Sequence, residues 1–362
     1  MIKFSDVSLN KKKALSKISK VLDSRWLTSG KVTLDLEKKI NNHLKTKFIS
    51  LLSNCTSALH IALICNKISK GDEVLVPSFT WISSVNAILM VGAVPKIVDV
   101  DYNTMNISPE IIRKNISKKT KAIMIVHQFG SPCDMDEINK IAKDFKLNVI
   151  EDAACALGSK YNNGKFVGNT SNLSCFSLHP RKIVTTGEGG FISSSNNKYE
   201  DRIRILLNHG HRKNTKDDYF EEMGFNYRIS DIQSAIAVNQ IENLNASIRY
   251  RSKIADIYRN EITNKSIKYQ EIYKKSKSAW QSFVIHSSDP EYSKKIINIL
   301  KKNKISLRGK YYLAHQQKFL RKFSNNNLPN CEKINNSLIF LPMHNRLTLK
   351  QVSSICKIIN SI

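Results

Sequence analysis

The sequence predicts an α/β protein. A large mixed, mostly parallel sheet sandwiched by helices is followed by a smaller C-terminal α+β domain. Three observations lead there. Short apolar runs rich in β-branched residues alternate with stretches of helical spacing through the first half. Those runs lack polar alternation, as strands buried on both faces do. Beyond Ile229 the pattern turns helical, then mixed. The 362 residues suit one large and one smaller domain, at ~150 residues per domain.

Taken in order, strands are expected at 72–77, 94–98, 121–126 and 147–150, with helices between them at 57–65, 80–91, 108–116 and 135–145. Pro109 after Ser108 is a helix-start pairing. Strands at 173–178 and 190–194 follow, then helices at 230–242 and from 248 to about 262. The tail reads as strand 282–286, helix 292–303, strand 338–341 and a last helix from Thr348. The domains are placed at 1–248, with an N-terminal arm, and 249–362.

Composition narrows the class. Hydrophobic residues make up 41% and charged residues 24%, as in soluble globular proteins. No segment reaches the ~20 apolar residues that span a bilayer, and the first twenty residues lack a signal-peptide core. A cytoplasmic protein without membrane contact is expected. The seven cysteines form no CxxC pair, which argues against a disulfide framework or a metal site. Net charge is +27, which raises nucleic acid as a partner. The lysines are spread along the whole chain without a basic tail or nucleic-acid motif. A solvated surface that also attracts anionic substrates is the reading preferred.

The segment 174–194, SCFSLHPRKIVTTGEGGFISS, places Lys182 between a strand ending at Ser177 and a glycine-rich turn. A lysine amine forms a Schiff base with an aldehyde when its charge is suppressed; the alternative is one more surface lysine. In LNVIEDAACALG, Glu151 and Asp152 end an apolar strand. Ligands of open α/β sheets bind at that end, and a carboxylate there can pair with a protonated pyridine nitrogen. The alternative is an acidic strand end facing water. LSNCTSALHIAL puts small polar residues before a helix. Free amides at such a helix start, with the Thr56 and Ser57 hydroxyls, suit a phosphate; simple capping by Asn54, Thr56 or Ser57 explains them equally. In VPSFTWISSVNA, Phe79 and Trp81 follow a strand end. Either could stack on a flat ring or fill the core.

Together with RWLTSGKVTLDLEKKI, GDEVLVPSFTWISSVNAIL, VHQFGSPCDMDEI, EDAACALGSKYNNGKFVG and GFNYRISDIQSAIAVNQIE, these segments resemble the DegT/StrS-type sugar aminotransferase family of fold-type I pyridoxal-phosphate enzymes. The likeness runs in order from about Trp26 to at least Tyr258, more faintly to the C-terminus, and is perosamine-synthase-like.

The resemblance implies that pyridoxal 5'-phosphate is the cofactor and that Lys182 carries it. Asp152 would keep the ring nitrogen protonated and Trp81 would stack on the ring. Thr56, Ser57 and Ser177 would bind the phosphate, and Asn226 would reach the phosphate of a partner subunit's cofactor, making a homodimer with shared sites. Many relatives carry glutamine or histidine where this chain has Cys155, beside the cofactor's phenolic oxygen; a thiol is a weak donor, and some perosamine-synthase-like members share it. A related dehydratase branch has histidine in place of Lys182, so the lysine favours transamination.

The implied reaction moves an amino group from L-glutamate to a nucleotide-linked keto sugar, a 4-keto-6-deoxyhexose, for surface polysaccharide or glycan synthesis. Thr28, Ser29, Gly30, Lys31, Arg228 and the stretch from Arg308 to His315 are candidates to hold that substrate, as are His179 and Arg181 beside the lysine; each could equally be structural. The rival readings are amination of a small ketone such as a cyclitol or phosphorylated triose, a non-catalytic protein that keeps the fold, and a nucleic-acid binder.

Overall fold

The structure, a computed structural model, describes residues 1–212, 219–324 and 327–362. Its centre is a seven-stranded sheet. The strands are β1 (Phe48–Leu52), β2 (Glu73–Pro77), β3 (Val94–Val98), β4 (Thr120–Val126), β5 (Asn148–Asp152), β6 (Leu173–Ser177) and β7 (Gly190–Ser194). They lie in the order β1-β7-β6-β5-β4-β2-β3. Every pairing from β3 to β6 is parallel; β7 alone runs against the others, pairing antiparallel with β6 and β1.

Alternate residues of these strands feed separate cores. Val74, Val76, Met124, Ile150 and Ile192 pack on one face with the helix α3 defined below, and Leu75, Ile123, Ile125, Val149 and Phe191 pack on the other. Two covered faces explain why the strands read as unbroken apolar runs. The covering helices are α1 (Lys11–Asp23), α2 (Lys31–Leu44), α3 (Cys55–Cys65), α4 (Ser83–Met90), α5 (Pro109–Asn115), α6 (Met135–Asp144), α7 (Glu200–Leu207) and α8 (Asp231–Glu242). Capping fixes several starts: Asn54 accepts from the Ser57 amide at 2.8 Å, Ser108 from Ile111, and Ser230 with Gln233 closes a capping box.

A short ribbon of β8 (His211–Arg212) and β9 (Tyr219–Phe220) precedes α8. After it, α9 (Leu244–Glu261) leads into a second unit. This is a three-stranded antiparallel sheet of β10 (Ile267–Tyr269), β11 (Phe283–Ser287) and β12 (Ile339–Leu341) with α10 (Pro290–Lys302), α11 (Pro329–Ser337) and α12 (Leu349–Asn360). It has its own core around Ile254, Tyr258, Phe283, Leu341 and Ile355. The start of α9, at Leu244 and Ile248, still packs on the large sheet's core. The first residues of the chain lie on this second unit, where Ile2 bridges Ile305 and Phe4 meets Phe340 edge-on at 6.2 Å.

Several elements were not expected from the sequence. In α1 only Ala14 and Val21 are buried, a stripe too thin to give a helical period. β1 has five buried residues that run straight into the α3 start, so it merged with the helical segment. The helix expected from Thr80 begins at Ser83, leaving Thr80 and Trp81 in the connection. α7, β10 and α11 are short elements without strong periodicity.

Arg251, on α9, ties the second unit together. It is buried and among the described residues has no carboxylate partner; its guanidinium donates to Asn345 Oδ1 at 2.9 Å and to the carbonyls of Trp280 and Met343 at 3.0 and 3.1 Å. Burial pushes its pKa down to about 10. Replacing it by methionine would leave those buried acceptors unmet. We expect Arg251→Met to lower unfolding stability in urea by about 2–4 kcal/mol.

Candidate active site

The parallel strands end, and β7 begins, along one edge of the sheet, and there the chain forms a cavity of about 280 Å³. The carboxyl edge of an open sheet is where such proteins bind ligands. Lys182 enters it from the turn between β6 and β7. Its backbone amide donates to the His179 carbonyl at 2.8 Å, and its Nζ donates to the Cys155 sulfur at 3.2 Å. Within the same turn, Gly187 takes a positive φ of 86°. Gly190 is required for a different reason: a Cβ there would lie 2.6 Å from the backbone of Asn54 and Cys55. That contact seats the start of α3 against β7.

Asp152 ends β5 and borders the cavity. Its Oδ2 accepts from the Ser84 hydroxyl at 2.6 Å, and its Oδ1 from the Ala154 amide at 3.1 Å. Ser84 is itself 2.8 Å from the Thr80 hydroxyl. With the serine proton directed to the carboxylate, Thr80 donates to Ser84. The carboxylate is thereby fixed in orientation before any ligand arrives.

Glu151, one residue earlier, points to the other face of the strand, as strand alternation requires. It is fully buried and accepts from His127 Nε2 at 3.0 Å, Thr170 at 2.8 Å, Asn172 at 3.1 Å and the Tyr161 hydroxyl. His127 Nδ1 accepts from the Cys133 amide, so the ring proton sits on Nε2. Burial pushes the Glu151 carboxyl up, but contacts led by His127 outweigh it and hold the group below its ordinary value of 4.5. Neither member of the acidic pair is a strand end facing water. A carboxyl lowered in the fold contributes stability that is fully present above its unfolded value and is lost as pH falls through the lower native one. Glu151→Gln is therefore expected to flatten the fall in melting temperature of the native chain below about pH 4.5, as a pH series of thermal melts would show.

The two aromatics separate. Phe79 is fully buried, 5.8 Å from the Phe129 ring and 4.8 Å from Tyr311. Trp81 is 48% exposed and lines the cavity. Thr56, Ser177 and the Asn54–Cys55 start of α3 line the cavity too. Ser57 is buried just behind, its hydroxyl 3.1 Å from Asn54 Oδ1. Asn54 thus performs the capping, while Thr56 remains on the wall. The donor set fits pyridoxal phosphate: an amine for the aldehyde, an oriented carboxylate for the ring nitrogen, an indole for the ring face. Hydroxyls and helix-start amides remain for the phosphate.

Residues 9–360 match the profile of the DegT/DnrJ/EryC1/StrS aminotransferase family. The chain belongs to that family. It is similar to the GDP-perosamine synthase of Escherichia coli O157:H7, with 36% identity over 351 residues, 95% of this chain and 93% of that protein. The GDP-perosamine synthase of Caulobacter vibrioides is 38% identical over 242 residues, 67% of this chain and 65% of that one. Among solved structures, DesV of S. venezuelae superposes with a TM-score of 0.91 at 25% identity, covering 97% of this chain and 94% of that one. PseC of Helicobacter pylori, involved in pseudoaminic acid biosynthesis, superposes with a TM-score of 0.91 at 26% identity over 99% and 98%. The protein is a pyridoxal-phosphate-dependent aminotransferase of fold type I.

The remaining residues expected at a DegT-family site fall into two groups. His179 and Arg181 line the cavity with Lys182 and Cys155. Thr28, Ser29, Gly30, Asn226, Arg228 and His315 do not. The Thr28–Gly30 turn is tied to α8: the Gly30 amide donates to Asp231 Oδ1 at 2.8 Å, and the Asp231 amide donates to the Thr28 carbonyl at 3.2 Å. Arg228 donates to Asn208 Oδ1 at 2.8 Å, and Asn226 is exposed. His315 is buried between the Ser78 hydroxyl at 2.6 Å and Glu332 at 3.1 Å. Both of its nitrogens are engaged within the chain, and it does not line this chain's cavity.

Sequence reading missed Ser84 and Thr80. Ser84 meets a carboxylate 68 positions away, and nothing local distinguishes it from its neighbour Ser83. Among the described residues no helix is long and apolar enough to cross a membrane, and no cluster of His, Cys, Asp and Glu could hold a metal ion.

Proposed function

We propose that the protein aminates a nucleotide-linked keto sugar, a 4-keto-6-deoxyhexose, with L-glutamate as donor, in the cytoplasm and in the service of surface polysaccharide or glycan synthesis. The likeness to GDP-perosamine synthases along 95% of the chain carries this reading. In it, residues 1–248 form the large domain and 249–362 the small one.

Lys182 Nζ removes the proton from the donor's Cα. In the second half of the exchange the same amine delivers a proton to the sugar carbon that has gained nitrogen. The Cys155 sulfur, 3.2 Å from Nζ, contacts the amine when it is free and borders the ring's phenolic oxygen. Asp152, oriented by Ser84, pairs with the ring nitrogen, and Trp81 covers the ring face. Thr56 and Ser177 take the phosphate, with Ser57 supporting them through Asn54. When bound, pyridoxal phosphate supplies the electron sink for the charge left at carbon.

The protein acts as a homodimer in this reading. Asn226 is exposed here and reaches the neighbouring subunit's phosphate, and Thr28, Ser29, Gly30 and Arg228 serve that neighbour's substrate. Exposed Trp26, Phe220 and Met223 give this part of the surface apolar area suited to a partner.

An acceptor screen tests the substrate class. The loaded enzyme with L-glutamate is offered nucleotide-linked keto sugars, cyclitol ketones and phosphorylated trioses, and 2-oxoglutarate is followed. Release with the nucleotide sugars is expected. Release confined to a small ketone would overturn the substrate assignment, and release with none of them would favour a non-catalytic protein.

A further inference from the structure

Among the described residues, Arg308 is the one basic side chain of the cavity wall that both lies on aromatic rings and lacks an acceptor. Its guanidinium carbon is 5.0 Å from the Tyr311 ring centroid, 4.9 Å from Phe340 and 5.8 Å from Trp81. It is partly buried, and among the described residues it has neither a hydrogen-bond acceptor nor a carboxylate in ion-pair reach. The other half-buried arginines are satisfied: Arg202 by Glu222, Arg204 by Glu37 and Glu200, Arg212 by Asp201 and Glu221, and Arg228 by Asn208. The acids of the same wall, Asp152 and Glu188, form no ion pair with Arg308 among the described residues.

The arginine also sits at a junction. It lines the main cavity and a shallower recess that it shares with Lys3 and Arg181. Burial lowers its pKa, and the nearby positive Arg181 lowers it further. Two cations with no anion between them are costly in a part-dry cleft. The rings occupy the faces of the guanidinium, which leaves its planar edge of N–H donors for a ligand. That edge matches a carboxylate in bidentate geometry.

We propose that Arg308 binds the carboxylate on the reacting carbon of the amino donor. This rests on the aminotransferase reading, in which the donor is an amino acid. Position separates the donor from the other anionic reactant. The Arg308 guanidinium carbon is 5.8 Å from the ring of Trp81, the residue that covers the cofactor ring in that reading, and Arg308 lines the same cavity as Lys182 and Cys155. It therefore stands at the reacting end of the cavity. The donor's α-carboxylate is bonded to the carbon that loses its proton, whereas a nucleotide diphosphate lies a whole sugar ring away from the carbon that gains nitrogen.

The test uses the cofactor-loaded enzyme and the variants Arg308→Gln and Arg308→Lys. Glutarate, a dicarboxylate without an amino group, and inorganic pyrophosphate are titrated calorimetrically. The glutamate half-reaction is followed by absorbance in single turnover. Losing a charged bidentate contact should weaken glutarate, and raise the glutamate concentration for half-maximal conversion, by roughly 10- to 100-fold. The lysine variant, which keeps the charge without the planar fork, should fall between. Pyrophosphate affinity should stay within about twofold, since less than 0.5 kcal/mol is at stake for a remote anion. Unchanged glutarate affinity in both variants, or a loss confined to pyrophosphate, would overturn the assignment. Wild-type protein that never acquires the cofactor's visible band fails differently: that outcome removes the aminotransferase reading itself.

Discussion

Lys182→Ala is expected to reduce turnover by roughly 10⁴-fold or more, the scale lost when a positioned general base is removed. The reason is geometric. Lys182 is delivered into the cavity by the turn between β6 and β7, and among the described residues no other lysine lines that cavity. The substitution should leave the fold intact. Lys182 is only half-buried, and among the described residues its side chain makes one hydrogen bond, to the Cys155 sulfur. Steady-state release of 2-oxoglutarate measures the loss, and circular dichroism with a thermal melt checks the fold. Turnover within tenfold of wild type would remove Lys182 from the chemistry.

Asp152→Asn should cost roughly 10²- to 10³-fold in kcat, comparable to losing one preorganised electrostatic contact. Asparagine keeps the size; its Oδ1 can still accept from the Ala154 amide while its Nδ2 donates to the Ser84 hydroxyl, whose own proton can turn to the Trp81 carbonyl 3.2 Å away, so the wall stays in place. What disappears is the negative charge that favours a protonated ring nitrogen. The expected signature is a visible band whose pH dependence shifts, together with a fall in kcat that exceeds any rise in KM. A variant with unaltered kcat would show that the nitrogen is served by another group.

Much of this site was legible in the sequence because it is built from contiguous segments. Lys182 sits within its glycine turn, Asp152 at a strand end, and Thr56 behind a capping asparagine; each motif carries its own local geometry. Parallel strands ending at one edge then bring the motifs together without further information. Contacts between distant segments were not legible. Ser84, on α4, reaches Asp152 at the end of β5, and Arg251 reads as an ordinary helix cation until its carbonyl partners from 280 and 343 fold around it. His315 shows a different limit, since its place beside the cavity was not legible either. It lies in a stretch that supplies Arg308 and Tyr311 to the cavity, yet a short turn carries its ring back toward Ser78 and Glu332. Thin amphipathic stripes, as in α1, left too little periodicity to announce a helix.

The most direct measurement is borohydride reduction of the pyridoxal-phosphate-loaded protein followed by peptide mapping. The account predicts a single stable adduct on Lys182, in the peptide that runs into Ile183 and the glycine turn. An adduct on any other lysine, or a protein that stays colourless in excess cofactor and takes up none, would contradict it.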